Sequence, residues 1–141
     1  LEVFPPFLRA NHVSQLQDAV RRTLAGELAP NELLALAERF MDLVERFEQQ
    51  WGSPAQAPLS ERLDPSLEEF RSALKELDAA YLHLVAAVEA LQAYFHGQPG
   101  GLELADTRLT DFFALSCQAA AGLMEQLELT ADLSTYRPYA R

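Results

Sequence analysis

The chain has 141 residues, of which 21 are acidic and 11 basic, so its formal net charge is −10. A composition of 49% hydrophobic and 23% charged residues is typical of a soluble globular protein and excludes a mainly disordered chain. The acidic balance disfavours nucleic acid and membrane surfaces as partners, because both carry negative charge. We expect one helical domain over residues 1–141.

The N-terminal segment, residues 1–8, is predicted to be extended. Pro5 and Pro6 restrict its backbone, while Phe4 and Phe7 offer large apolar side chains. Such a segment is expected to pack on the bundle, on a second copy or on another protein. Phe4 and Phe7 are therefore candidate interaction residues.

Two amphipathic helices are predicted next, near residues 12–28 and 31–51. Apolar residues repeat at three- and four-residue intervals on both. They are Val13, Leu16, Val20, Leu24 and Leu28 on the first, and Leu33, Leu36, Phe40, Leu43 and Phe47 on the second. The short segment around Gly26 and Pro30 predicts either a tight turn or a kink.

The third predicted helix, residues 65–96, carries the clearest pattern. Its apolar residues follow a heptad spacing typical of a coiled coil. They are Leu67, Phe70, Leu74, Leu77, Tyr81, Leu84, Val88, Leu91 and Phe95. Asp64 followed by Pro65 predicts the helix start, and Gly97 predicts its end. At 1.5 Å per residue this helix would be ~48 Å long.

A fourth helix is predicted near residues 106–128, followed by a C-terminal tail, residues 129–141. The segment from Gly97 to Gly101 contains Pro99 and predicts a chain reversal, so the third and fourth helices should form an antiparallel hairpin. The predicted fold is therefore an all-α four-helix bundle built from two helical hairpins.

The last two predicted helices carry more small apolar residues than a single contact needs. We expect part of this surface to mediate self-association, because a helix that is apolar all round is normally buried all round. The candidate interaction residues on these helices are Ala80, Ala87, Tyr94, Phe112 and Ala119.

No familiar catalytic pattern occurs in the sequence. The residues three positions before His12, His83 and His96 are not glutamates, so the Glu-x-x-His pairs of di-iron bundles are absent. Phosphate-loop and Gly-x-Ser-x-Gly motifs are also absent. We expect no catalytic residue, metal or cofactor. The single cysteine and the lack of a secretory leader pattern predict a cytoplasmic protein.

The sequence therefore predicts a non-catalytic protein–protein interaction module, an acidic helical adaptor or scaffold that forms a homodimer. Two alternatives remain. One is a chaperone-like binder of a partner helix, and the other is a bundle with an apolar ligand cavity. That cavity would be lined by Tyr81, Tyr94, Phe112 and Phe113.

Overall fold

Four α-helices follow one another in the computed structural model, which describes residues 10–53, 56–62 and 64–136. They are α1 (Ala10–Leu24), α2 (Pro30–Trp51), α3 (Arg71–Phe95) and α4 (Gly101–Tyr136). Two short 3₁₀ helices, Leu59–Arg62 and Pro65–Phe70, join α2 to α3, and no strand occurs within these described residues. The predicted all-α four-helix bundle is confirmed. Residues 1–9, including Phe4 and Phe7, lie outside the described residues.

The link between α1 and α2 is a tight turn, so the chain does not continue through a kink at Pro30. Gly26 adopts a left-handed backbone conformation with φ 75°. The N–H groups of Gly26 and Glu27 donate to the carbonyls of Thr23 and Arg22 at 3.1 and 2.8 Å. This Schellman pair satisfies carbonyls at the end of a helix, and α1 therefore ends before the predicted residue 28.

The helix predicted to start at residue 65 starts later. Asp64 caps its turn as expected, because its carboxylate accepts a hydrogen bond from the Ser66 N–H at 2.9 Å. This bond lowers the pKa of the Asp64 carboxyl. The capped turn is a 3₁₀ helix, however, and Leu67 within it departs from helical dihedrals (φ −113°, ψ 26°). The α-helix proper begins only at Arg71.

Asp78 of α3 holds the first 3₁₀ helix against the bundle. Its carboxylate accepts hydrogen bonds from the N–H groups of Leu59 and Ser60 at 2.7 and 3.1 Å, and from the Ser60 hydroxyl at 2.8 Å. Arg71 donates to the Ser60 carbonyl from the same helix. The residues before α3 therefore fold back along it and cover its first turns, so the heptad pattern does not become one straight helix.

Helix α3, like α1, is followed by a glycine with a left-handed backbone conformation. Gly97 has φ 88°, and the Gln98 N–H donates to the Ala93 carbonyl at 3.0 Å. The chain then reverses, and α4 begins at Gly101, five residues before the predicted start at 106. The predicted antiparallel hairpin is present.

The last helix extends well past its predicted end at residue 128. It reaches Tyr136, so residues 129–136 belong to α4 and not to a tail. The first glycine or proline after Gly122 is Pro138, so nothing in the intervening sequence breaks the helix. The remaining predicted tail, residues 137–141, lies outside the described residues.

Neighbouring helices run antiparallel around the bundle. Gln17 Nε2 donates to Asp106 Oδ1 at 2.9 Å and to Thr110 Oγ1 at 3.0 Å, and Arg21 Nε reaches the same aspartate oxygen at 2.8 Å. These bonds fix α1 against α4. The most extensive helix contact joins α3 to α4, α1 packs on both α2 and α4, and α2 packs only lightly on α3.

Close packing of α3 on α4 depends on small residues. Gly101 lies so near α3 that a Cβ placed on it would be 2.6 Å from the Ala90 carbonyl oxygen. At the other end of the hairpin, a Cβ on Gly122 would be 3.4 Å from the Ala73 Cβ. The backbones therefore approach one another along the whole hairpin.

All four helices contribute to one continuous core. Its largest fully buried side chains include Tyr81, Phe112, Leu33, Leu77, Leu84, Leu109 and Val13. A separate small cluster of Phe70, Ala73 and Leu123 lies where α4 extends past the start of α3. The larger of the two buried clusters therefore lies where α1 and α2 flank the α3–α4 hairpin.

Candidate binding groove

A groove of about 280 Å³ opens between α2 and α3, the neighbouring helices that pack most loosely. Its apolar lining comes from both helices and consists of Met41, Val44, Tyr81, Leu84, Val85 and Val88. Leu84 is buried in the core beneath it, whereas the three valines are only partly buried. The groove therefore offers solvent-accessible apolar surface on an otherwise acidic protein.

Polar contacts between α2 and α3 mark the two ends of the groove. At one end the hydroxyl of the buried Tyr81 donates to a carboxylate oxygen of Glu48. Burial, reinforced by this hydrogen bond, raises the pKa of the Tyr81 phenol. At the other end Gln92 Nε2 lies 3.5 Å from Met41 Sδ. The floor between these ends is apolar.

Carboxylates stand on both walls of the groove. Glu45 lies on α2 and Glu89 on α3, and both are exposed. Within the described part of the chain no arginine or lysine forms an ion pair with either one. Among the described residues, the hydrogen bond that Glu45 accepts is a long one, 3.4 Å, from Gln49 on its own helix. The rim of the groove is therefore negatively charged and its carboxylates are available to a binding partner.

Four of the predicted interaction residues are internal. Ala80, Ala87 and Ala119 are 0% exposed and Phe112 is 1% exposed. The packing of α3 on α4 itself buries this alanine-rich surface. These four side chains therefore lie inside the folded chain and not on its surface, and their role in self-association stays a prediction. Tyr94 is partly buried beside Gly101 and packs edge-on against Phe95 at 5.3 Å.

The predicted aromatic ligand cavity does not form as a single site. Phe112 and Phe113 pack against each other with ring centroids 5.6 Å apart, and Phe112 is buried in the core. Of the four aromatic residues proposed for that cavity, only Tyr81 lines the groove between α2 and α3. The groove that Tyr81 lines is formed by α2 and α3, without residues of α4.

Sequence reasoning missed two of the three valines that line the groove, Val44 and Val85. Val44 and Val85 each follow a leucine of the heptad pattern, Leu43 and Leu84, and so widen the apolar stripe by one position. A stripe wider than the two seam positions indicates contact with more than one neighbour. The wider apolar stripe was visible in the sequence, but it does not show which side of the helix stays uncovered.

A second polar cluster joins α3 to α4. His83 Nδ1 lies 3.3 Å from Arg108 Nη1 and 3.8 Å from Asp111 Oδ2. The His83 side chain is 27% exposed. Among the residues with described side chains, no group of three or more histidine, cysteine or acidic residues could hold a metal ion.

Large apolar side chains are exposed at the far end of α4. Met124 is 61% exposed and Leu127 is 40% exposed. Leu67, in the second 3₁₀ helix, is 42% exposed. Cys117 is exposed on the same helix and is a free thiol. Gln17 lies beside Asp106 and Thr110 and α1 begins at Ala10, so within the described part of the chain this end of α4 lies beyond α1.

Comparisons with family models, with curated proteins and with solved structures found no match to this chain. No helix in the described part combines the length and the apolar character that crossing a membrane requires.

Proposed function

We propose that this protein is a non-catalytic interaction module that binds an α-helix of a partner protein in the groove between α2 and α3. The observation that supports the proposal is the accessible apolar floor of that groove, formed by Val44, Val85 and Val88. The absence of an enzyme activity and a cytoplasmic location remain predictions made from the sequence.

A helix suits this groove better than an extended peptide. The lining of α3 runs from Tyr81 to Gln92, a distance of ~16 Å or about three helical turns. An amphipathic helix can place residues i, i+3, i+4 and i+7 along such a floor, as helix-in-groove complexes do. An extended peptide normally binds by adding to the edge of a sheet, and the described residues contain no strand.

The test is binding of a neutral helical peptide. The probe is a fluorescein-labelled peptide of about 15 residues, ~22 Å of helix, with leucine at heptad positions a and d and glutamine at e and g. Fluorescence anisotropy would give its dissociation constant. We expect Val88→Asp to weaken binding by about tenfold or more, because the change puts a charge on the apolar floor.

Leu104→Asp provides the matched control. Leu104 is 48% exposed on α4 and does not line the groove, so the same change of charge there should leave the dissociation constant unchanged. Circular dichroism would confirm that both variants stay folded. Equal binding by Val88→Asp and the unchanged protein would refute the groove as the binding site.

Self-association is a second candidate, supported by the exposed Met124 and Leu127 on α4. A second copy could cover this face, and two-fold dimers are the commonest assemblies. Light scattering after size exclusion would detect the dimer, and Met124→Glu with Leu127→Glu should then give a folded monomer. A protein that is monomeric over a hundredfold range of concentration would exclude this candidate.

A further inference from the structure

The chemistry of the groove restricts what kind of helix it can bind. Three of its lining residues are glutamates: Glu45 and Glu48 on α2, and Glu89 on α3. Glu48 already accepts the hydrogen bond of the Tyr81 hydroxyl, so two carboxylates remain, one on each wall. The apolar floor thus lies between two negative charges.

The protein itself does little to neutralise these two charges. On α3 the positions one helical turn from Glu89 are Val85, Ala86, Gln92 and Ala93, none of which is basic. On α2 the corresponding positions around Glu45 are Met41, Asp42, Glu48 and Gln49. Arg46 is adjacent to Glu45 but does not line the groove. No cation of the described residues lies on the groove to balance its rim.

We infer that the partner is a basic amphipathic helix, with a narrow apolar stripe flanked on both sides by lysine or arginine. The inference rests on the proposed function. In a heptad, positions e and g lie on opposite sides of the a/d stripe. When the stripe lies on Val85 and Val88, a basic residue at e can reach one wall and a basic residue at g the other.

Charge selects this partner against others of similar shape. An acidic helix of the same hydrophobicity would place like charges beside Glu45 and Glu89, and such juxtaposition opposes binding. The net charge of −10 acts in the same direction at longer range, because it attracts basic partners and speeds their association at low salt. The rim therefore provides specificity, while the valines provide the apolar contact.

The experiment uses three peptides that share leucine at a and d but carry lysine, glutamine or glutamate at e and g. Anisotropy titrations would compare the unchanged protein with Glu45→Gln/Glu89→Gln. We expect the lysine peptide to bind most tightly and the double variant to weaken its binding by about tenfold, the combined effect of two partly exposed ion pairs. Raising the salt concentration should weaken binding of the lysine peptide more than binding of the glutamine peptide.

Glu125→Gln/Glu128→Gln is the matched control, because it removes two exposed carboxylates from α4, far from the groove. It should leave the lysine peptide's dissociation constant nearly unchanged. If this control weakens binding as much as the groove variant, the rim carboxylates have no specific role and the inference is overturned.

The remaining outcomes separate the inference from the proposed function. If the lysine and glutamine peptides bind equally well and Val88→Asp abolishes binding of both, the groove binds helices but the basic partner is wrong. If no peptide binds, or if Val88→Asp changes nothing, the proposed function itself fails. If the protein alone assembles through the groove in a salt-sensitive way, the occupant is a second copy and the inference of a basic partner helix is overturned.

Discussion

Gly101 lies where the backbones of α3 and α4 approach closely. Because a Cβ there would be 2.6 Å from the Ala90 carbonyl oxygen and 2.8 Å from the Tyr94 Cβ, Gly101→Ala should force the helices apart. We expect the free energy of unfolding to fall by about 1–3 kcal/mol, the usual cost of overpacking. Chemical denaturation measures this change.

Gly122→Ala is the control for this prediction. Its new Cβ would meet the Ala73 Cβ at 3.4 Å, close to ordinary contact, and it would remove a glycine from the interior of α4. We expect no loss of stability and up to about 1 kcal/mol of gain from helix propensity. Equal destabilisation by Gly101→Ala and Gly122→Ala would contradict the close approach at Gly101.

Tyr81 gives the protein a specific response to high pH. Burial and the bond to Glu48 raise the pKa of the folded-state phenol above its ordinary value of about 10. Below pH ~10 the phenol is protonated in both states, so its contribution to stability is complete. As the pH rises above ~10, the unfolded chain releases this proton first, and the folded state loses stability.

Tyr81→Phe should remove this part of the pH dependence. We expect the free energy of unfolding to fall less steeply above pH ~10 in the variant than in the unchanged protein. The difference in absorbance at 295 nm between the two folded proteins reports the ionisation of Tyr81 directly. Appearance of its phenolate near pH 10 would show that the hydroxyl is not buried against Glu48.

The connection before α3 depends on one carboxylate. Asp78 accepts hydrogen bonds from Leu59 and Ser60, so Asp78→Asn should detach the first 3₁₀ helix from α3. We expect a loss of about 1–2 kcal/mol, since hydrogen bonds to a charged group are stronger than neutral ones. Faster hydrogen exchange at the Leu59 and Ser60 amides would localise the effect.

Ser60→Ala tests the same connection more gently. It removes the hydroxyl bond but keeps both backbone bonds to Asp78, so its effect should be smaller than that of Asp78→Asn. Unchanged exchange at Leu59 in the Asp78→Asn variant would mean that the 3₁₀ helix is held by something else.

Helix identity was predictable from the sequence, and helix boundaries were predictable only where local chemistry determined them. Gly97 marks the end of α3 because a left-handed residue is needed there, and the sequence prediction is correct. The predicted start of α3 was wrong because Leu67 departs from helical dihedrals after the capped turn, and the Asp64–Pro65 signal gives no sign of that departure. The predicted end of α4 at residue 128 was wrong because no glycine or proline follows it before Pro138.

At the scale of the whole molecule, the sequence predicted that α3 and α4 are more apolar than one contact requires. It did not show how much of that surface the hairpin itself would bury. Ala87 and Ala119 are internal, since small residues let the two backbones approach until no room remains. Accessible apolar surface also lies on the α2 side of α3, around Val85 and Val88.

The candidate site could not be predicted because it depends on how far apart two helices stand. The residues of the groove were visible in the sequence, but periodicity gives the face of a helix and not the distance to its neighbour. Light packing of α2 on α3 is a property of the whole bundle, in which α3 packs most tightly on α4. The tight packing of α3 on α4 buries the predicted interaction residues, and the light packing of α2 on α3 leaves the groove accessible.

The central claim is that the groove between α2 and α3 receives a partner helix, and amide chemical-shift mapping tests it most directly. The labelled protein would be titrated with the lysine-bearing helical peptide while the backbone N–H resonances are followed. We predict that the largest shifts occur at residues 41–48 and 81–92, which line the groove from both sides. Shifts concentrated at residues 117–128 of α4, or no shifts at high peptide concentration, would contradict the account.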